Sequence, residues 1–220
     1  MIKYINIEGT DGCGKQTQSK LIYEDLKAQG KNVLMHSFPS YESKSSGPVR
    51  MYLGGEFGEN ANSLDAYQAS TIFAVDRLCT MKLIEKDFND GFVVLDRYTP
   101  SNMIHQAIKF ENKEDKLKYL NWLEEFEYGL LNLPRPTLTI FLDMPVEKSV
   151  ELANNRKELK NHENKDIHEN FEHLSKAYVN ATEIAEMFGW IKINCVDEDN
   201  NIKSIETIHE EIMQVVKNIL

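Results

Sequence analysis

The sequence predicts an α/β protein built on a doubly wound, five-stranded parallel sheet, and three observations carry that reading. Five short apolar segments, "YINIE", "NVLMHSF", "FVVLD", "TLTIFLD" and "WIKINC", recur along the chain with helical patterns between them. Strands alternating with helices need crossover connections, which give a parallel sheet covered on both faces. "FVVLD" and the centre of "TLTIFLD" are apolar without alternation, as strands buried on both faces are. The first strand also runs through a glycine-rich loop directly into a helix, an arrangement that aims backbone N–H groups and a helix dipole at one point.

From the N-terminus, "YINIE" leads through the loop into "KQTQSKLIYEDLKAQG", a helix closed by Gly30. "NVLMHSF" is the second strand. "SLDAYQASTIFAVDRLCTMKLIEKDF" has helical periodicity and precedes the third strand, "FVVLD". Helical stretches are expected from about Ser101 to Leu131, and Pro134 and Pro136 punctuate the chain before "TLTIFLD". "VEKSVELANNR" reads as helix and "KELKNHENK" as a polar, flexible loop. Asp166 and Glu169 have the spacing of a capping box for a helix that ends near Gly189. After "WIKINC", Ile205, Ile208, Ile212, Val215 and Ile219 stripe a last helix. No repeat or linker divides the chain, so residues 1–220 are expected to form one domain.

Composition narrows the function classes. A hydrophobic content of 41% with 27% charged residues suits an ordinary globular domain. A net charge of -10 argues against an extended nucleic-acid footprint, which needs a basic face. It does not argue against a nucleotide, because a few cations in one cleft suffice. Cys13, Cys79 and Cys195 are scattered, odd in number and without metal spacing, which suits a reducing compartment. No apolar run approaches the roughly 18 residues of a membrane span, and the N-terminus does not read as a signal peptide. A cytoplasmic location is expected, without membrane or nucleic-acid partners.

The stretch "IEGTDGCGKQTQ" carries the chemistry. Gly9, Gly14 and Lys15 match G-x-x-x-x-G-K, the phosphate-cradling loop, although the next residue is Gln16 where Ser or Thr is usual. Residues Gly9 to Thr17, with Asp11, Gly12 and Cys13 among them, are the expected donor-nucleotide segment, and Lys15 is assigned to bridge donor phosphates. Phosphotransferases and nucleotide switches both use such a loop. A guanine-nucleotide switch needs N-K-x-D after a strand; "NKED" occurs at Asn112 to Asp115 but between helical segments, and reads as a surface connection. D-x-x-G is missing after "FVVLD", where the chain continues as "RYTPSNMIHQ". Asp96, at the carboxyl end of a buried strand, stands at the rim where such sheets bind ligands and can orient a metal ion or its waters. Arg97 can brace a transferring phosphate with its fork of donors. An isolated Asp–Arg pair capping a strand end is the plainer alternative, made less attractive by the placement.

Together, "IEGTDGCGKQTQ", "FPSY", "YLGGEFG", "FAVDR", "DRYTPSNMIHQ", "LPRPTLTIFLDMP" and "DIHENFEHLSKAY" resemble the thymidylate kinases, a family of the P-loop nucleoside-monophosphate kinase group, across nearly the whole chain. The resemblance implies a kinase fold with a mobile lid at about residues 153–167, a homodimer, and transfer of the γ-phosphoryl group of Mg·ATP to dTMP in dTTP synthesis. It implies that Asp11 meets the 3'-hydroxyl of the acceptor sugar, that Phe73 stacks on thymine and that Arg77 donates to a base carbonyl. Phe73 also lies on an apolar stripe with Leu64, Tyr67 and Leu78, where an aromatic is usually core. Ser101, Asn102, His105 and Gln106 correspond to the segment that reads the pyrimidine edge and crowds the 2' side of the sugar, with His105 where relatives often carry tyrosine. Phe38 and Tyr41 line the entrance to the monophosphate pocket. Many relatives have an arginine there as a phosphate clamp; this chain has Ser40 and Tyr41, so the clamp falls to Arg50 or Arg97.

Families of this kind take a catalytic arginine from the phosphate loop or from the lid. With Cys13 in the loop, the resemblance assigns Arg156, with Lys157 and Lys160 beside it. Tyr178 matches a tyrosine near the substrate in some relatives. His162, His168 and His173 are too irregularly spaced to be read as metal ligands. With Gln16 in place of a hydroxyl, Thr17 is expected to bond a donor phosphate. Mg²⁺ would then be held by nucleotide oxygens, water and Asp96, which suits an ion that demands few protein ligands.

Overall fold

In the computed structural model, residues 1–58, 63–158 and 167–220 are described, with side chains at 1–58, 63–152 and 171–220. Five strands, β1 (Ile2–Glu8), β2 (Val33–Ser37), β3 (Gly91–Asp96), β4 (Leu138–Asp143) and β5 (Ile191–Asn194), form one parallel sheet in the order β2-β3-β1-β4-β5. All five expected strands are present, each within a residue or two of its predicted limits. The helices are α1 (Lys15–Ala28), α2 (Gly47–Leu53), α3 (Ala66–Asp87), α4 (Thr99–Gln106), α5 (Lys113–Glu124), α6 (Val146–Glu158), α7 (Ile167–Met187) and α8 (Ile205–Val216).

Alternation along β1 divides the core. Ile5 and Ile7 face α1 and α8, packing with Ile22, Leu26, Ile208 and Ile212. Tyr4 faces the opposite layer, with Met81 of α3 and Val93 and Leu95 of β3. Asn6 and Glu8 share the face of Tyr4 by the two-residue period of a strand, so a carboxylate is delivered, fully buried, beneath the start of α4. The register Ile7↔Asp96 sets the ends of β1 and β3 side by side. The chain leaves β1 toward one edge of the sheet and leaves β3 toward the other, so this is a switch point, where doubly wound sheets open a crevice beyond their carboxyl ends.

Helix ends obey their local chemistry. Gly14 takes φ 96° to turn the loop into α1, a conformation that is costly for residues with a Cβ. Asp65 and Gln68 form a reciprocal capping box on α3, with N–H···O distances of 2.8 and 3.1 Å. Asn112 caps α5 by accepting from the Asp115 N–H at 2.8 Å, so "NKED" is a helix start on the surface. The expected Asp166 lies outside the described residues, as does the side chain of Glu169. On α8 the expected stripe holds for Ile208 and Ile212, while Ile205, in the first turn, is half exposed. Helix α2 was not anticipated from sequence. It is short and begins with Pro48 in its first turn, and its only fully buried side chain is Val49.

Candidate active site

The phosphate loop wraps residues 9–14 between β1 and α1. The Lys15 ammonium is buried and donates to the carbonyls of Gly9 at 3.0 Å and Thr10 at 2.7 Å, so it lies inside the curve of the loop. Gly12 is set against the backbone of α6, where an added Cβ would stand 2.7 Å from the Ser149 carbonyl oxygen. The Cys13 side chain turns into the core, and burial raises its thiol pKa. Its sulfur lies 3.9 Å from the Lys15 ammonium. Gln16 is exposed and Thr17 half-buried on the first turn of α1.

Beyond the ends of β1 and β3 opens a cavity of about 790 Å³. Ten of the eleven residues expected at the acceptor site line it: Asp11, Phe38, Tyr41, Phe73, Arg77, Arg97, Ser101, Asn102, His105 and Gln106. Tyr178 does not. Its hydroxyl donates to Asp143 Oδ1 at 2.6 Å at the end of β4, and α7 contributes His173 and Lys176 to the cavity instead. Phe73 is partly exposed there, edge-on to Tyr52 at 6.3 Å, rather than in the core. Phe38 packs under the cavity floor against His36 and Tyr98. Arg50 is absent from the lining; its Nη1 donates to the carbonyls of Tyr41 (2.7 Å) and Ser43 (3.0 Å) and so braces the "FPSY" turn.

Arg97 is the centre of the site's electrostatics. It has φ 69°, the left-handed region that a non-glycine residue occupies at a cost. The turn is held from below: Arg97 N–H donates to the Ile7 carbonyl (3.2 Å), Tyr98 N–H to Glu8 Oε1 (2.9 Å) and Ser101 Oγ to Glu8 Oε2 (2.8 Å). Burial raises the Glu8 pKa, partly offset by Arg97, Ser101 and Lys15. The Arg97 guanidinium pairs with Asp11 and lies 3.3 Å from His105 Nε2. Partial enclosure disfavours the Asp11 charge, but Arg97 and Lys15 outweigh it and hold that carboxyl well below the usual range. His105 is pushed down to about 3 by burial and by the Arg97 cation, so it is a neutral ring. Asp96 is buried at the strand tip and accepts from Ser37 Oγ at 3.2 Å.

Arg77, expected to donate to a base carbonyl, lines the cavity and is held from behind by a carboxylate. It is fully buried, with Nε 2.7 Å from Glu127 Oε2 and Nη2 2.6 Å from Glu127 Oε1. Burial opposes its charge, and Glu127 overrides that and raises its pKa. Glu8 and Glu127 were both missed in the sequence. Nothing distinguishes Glu127 from Glu124 and Glu125 in "LEEFEY" except a six-residue π-helical turn, Glu125–Leu130, that extends α5 and brings Glu127 inward. Arg156 lies on α6, and its side chain, like residues 159–166, is outside the described set.

A phosphate loop at the switch point, beside a half-open cavity with arginines and lysines in its lining, defines a P-loop phosphotransferase acting on a small acceptor. The thymidylate kinase family model matches residues 7–212. Over 219 residues the chain is 30% identical to a probable thymidylate kinase of Methanocaldococcus jannaschii, covering 98% of this chain and 96% of the relative. It is 31% identical, again over 219 residues, to a probable thymidylate kinase of Pyrococcus horikoshii (99% and 97%). It is 33% identical over 156 residues to the thymidylate kinase of Mycobacterium tuberculosis (69% and 71%). The chain belongs to the thymidylate kinase family, enzymes that phosphorylate dTMP to dTDP.

Proposed function

We propose that the protein transfers the γ-phosphoryl group of ATP to the 5'-phosphate of dTMP, giving dTDP and ADP for dTTP synthesis. The observation that carries this is the chain of contacts from loop to cavity: Lys15 lies inside the phosphate loop, Asp11 of that loop pairs with Arg97, and Arg97 shares its cavity with Arg77 and Asn102. That sequence of groups suits a donor phosphate, a transferring phosphoryl group and an acceptor base in turn. Backbone N–H groups and Lys15 hold the donor, with Thr17 on a donor phosphate. Arg97 clamps the acceptor phosphate, since Arg50 is occupied with the turn carbonyls. Asp11 meets the sugar hydroxyl and His105 crowds the 2' side. Little covalent chemistry falls to the protein, which aligns two anions, offsets the developing charge and excludes water.

Mg²⁺ fits the donor set. Asp96 is a buried oxygen ligand at the rim, and the described residues contain no cluster of three His, Cys, Asp or Glu that would suit a softer or fully caged ion. Bound with ATP, Mg²⁺ would neutralise phosphate charge, and Asp96 would hold it directly or through water. The reading extends to one domain, with residues 153–167 as a lid bearing Arg156. It extends also to a homodimer, supported by the exposed, uncharged i, i+4 row Val75, Cys79 and Leu83 on α3, and to a cytoplasmic location, supported by three free cysteines.

Coupled ADP release with dTMP, thymidine, dUMP, dCMP and AMP tests the reading. Highest kcat/KM for dTMP is expected. Preference for thymidine would make the protein a nucleoside kinase, and no turnover with any acceptor would overturn the proposal.

A further inference from the structure

We propose that Glu127 is a positioning residue that fixes the polarity of the base-reading wall, making the site donate to one edge atom of a pyrimidine and accept from its neighbour. The inference rests on the reading of this cavity as the dTMP site.

Three side chains converge on the Glu127 carboxylate, which is completely buried. Arg77 of α3 gives it Nε and Nη2; Thr99 of α4 donates its hydroxyl to Oε2 at 2.8 Å; Asn102 of α4 donates Nδ2 to Oε1 at 3.4 Å. Arg77 and Asn102 both line the cavity, and Glu127 does not. A carboxylate paired with a guanidinium is an acceptor only, so it dictates what each partner has left. The Arg77 edge carrying Nε and Nη2 is occupied, and Nη1 has no hydrogen-bond partner among the described residues. That leaves Nη1 and the second N–H of Nη2, the edge turned away from Glu127, as the donors for the cavity. The Asn102 amide nitrogen is committed to Glu127 and to the Ser70 carbonyl, also at 3.4 Å, which assigns the amide orientation and leaves Oδ1 as the acceptor.

A donor beside an acceptor matches a pyrimidine that carries a 4-carbonyl and an N3–H, as thymine and uracil do. Cytosine presents the reverse, an amino donor and a bare ring nitrogen, and would set donor against donor at Arg77. Neither Arg77 nor Asn102 enforces that polarity alone. An arginine without its carboxylate is free to change rotamer, and an asparagine amide without an acceptor-only partner can flip. The π-helical turn that brings Glu127 inward supplies the missing constraint. Positioning of this kind is specificity built by the layer behind the contact residues.

Glu127→Gln, which keeps the shape and adds a competing donor, is the test. The expected result is a rise of at least 10-fold in KM for dTMP, with kcat at saturation and KM for ATP changed less than 3-fold. The ratio of kcat/KM for dTMP to that for dCMP should fall at least 10-fold. A double-mutant cycle with Arg77→Ala should be strongly non-additive, because the two act as one unit. A folded Glu127→Gln enzyme with wild-type KM and wild-type discrimination overturns the proposal, as does an equal loss for ATP and dTMP, which a merely structural carboxylate would give. If that variant does not fold, Glu127→Asp, which retains the charge on a shorter stem, should show the same split in smaller measure, and wild-type values there overturn the proposal equally. Failure of the functional reading itself is distinguishable, since the wild-type enzyme would then show no preference for dTMP over the other acceptors.

Discussion

Arg97 has a strained backbone and a side chain that carries site charge, and the two can be separated by substitution. A left-handed non-glycine residue costs about 1–2 kcal/mol, here held in place by the Ile7 carbonyl and the Glu8 carboxylate. Arg97→Gly and Arg97→Ala both remove the cation and should both lose on the order of 10²-fold or more in turnover. Only the glycine variant relieves the backbone, so chemical denaturation should find it about 1 kcal/mol more stable than the alanine variant. Equal stabilities would mean that the left-handed conformation carries no cost. His105 gives a prediction in pH. Its pKa falls from 6.5 unfolded to about 3 folded, under burial and the charges of Arg97, Lys15 and His173, which the opposing pull of the Asp11 carboxylate does not offset. The unfolded chain therefore binds the extra proton between those values, and this group's contribution is intact above pH 6.5 and lost as pH falls toward 3. His105→Gln should show a shallower loss of stability between pH 7 and 5, by about 2 kcal/mol, when unfolding is compared across that range. Most cavity-lining side chains, Phe73, Arg77 and His105 among them, were legible only through the resemblance of their motifs to the family, whereas the strand end at the sheet's rim by itself pointed to Asp96 and Arg97. The carboxylates behind them were not. "YINIE" looks like any strand ending in a surface glutamate, and only the shared face of Tyr4, Asn6 and Glu8 against α4 explains why it is buried.

Among elements, the five strands were legible because apolar runs of that length have few alternatives between helices. Helix α2 was not: it is short, with Val49 its only fully buried side chain, so it leaves almost no periodic signal. The π-helical turn was illegible for a related reason, since its residues have the composition of the α-helix they extend and tertiary packing decides the wider turn. Where local chemistry is strong, boundaries were better defined. The Asp65–Gln68 capping box starts α3, and Phe73 and Arg77 stand two and three turns farther along the same helix. Asp65→Ala should reduce stability by about 1 kcal/mol in denaturant unfolding. KM for dTMP should change less than 2-fold, since fraying at the first turn stops short of the residues that line the cavity. A large rise in KM would show that the cap sets the register of the whole helix.

For the whole molecule, 35 acidic against 25 basic residues surround a cleft that must gather two polyanions. The cleft's cations are mostly committed. Arg77 is bound to Glu127, Arg97 to Asp11, and Lys176 to Glu172 at 2.6 Å, while the Lys15 ammonium lies within the loop that holds the donor. Cys13, where a loop arginine would stand in some relatives, turns its side chain into the core. The charge that develops on a transferring phosphoryl group therefore calls for a further cation, and α6 is the element placed to bring one. It packs its Ser149 backbone against Gly12 of the phosphate loop, and Arg156 lies seven residues on, about 10 Å along the same helix. Arginines in this role contribute roughly 10³-fold or more to phosphoryl transfer. Arg156→Ala is accordingly expected to lower kcat by on the order of 10²-fold or more with only a modest change in dTMP affinity, because the interaction is made in the transition state rather than with the bound acceptor. Single-turnover rates together with equilibrium dTMP binding decide the matter. A rate that is undiminished assigns the charge to Arg97 alone, and a rate that falls in step with affinity makes Arg156 a binding residue instead.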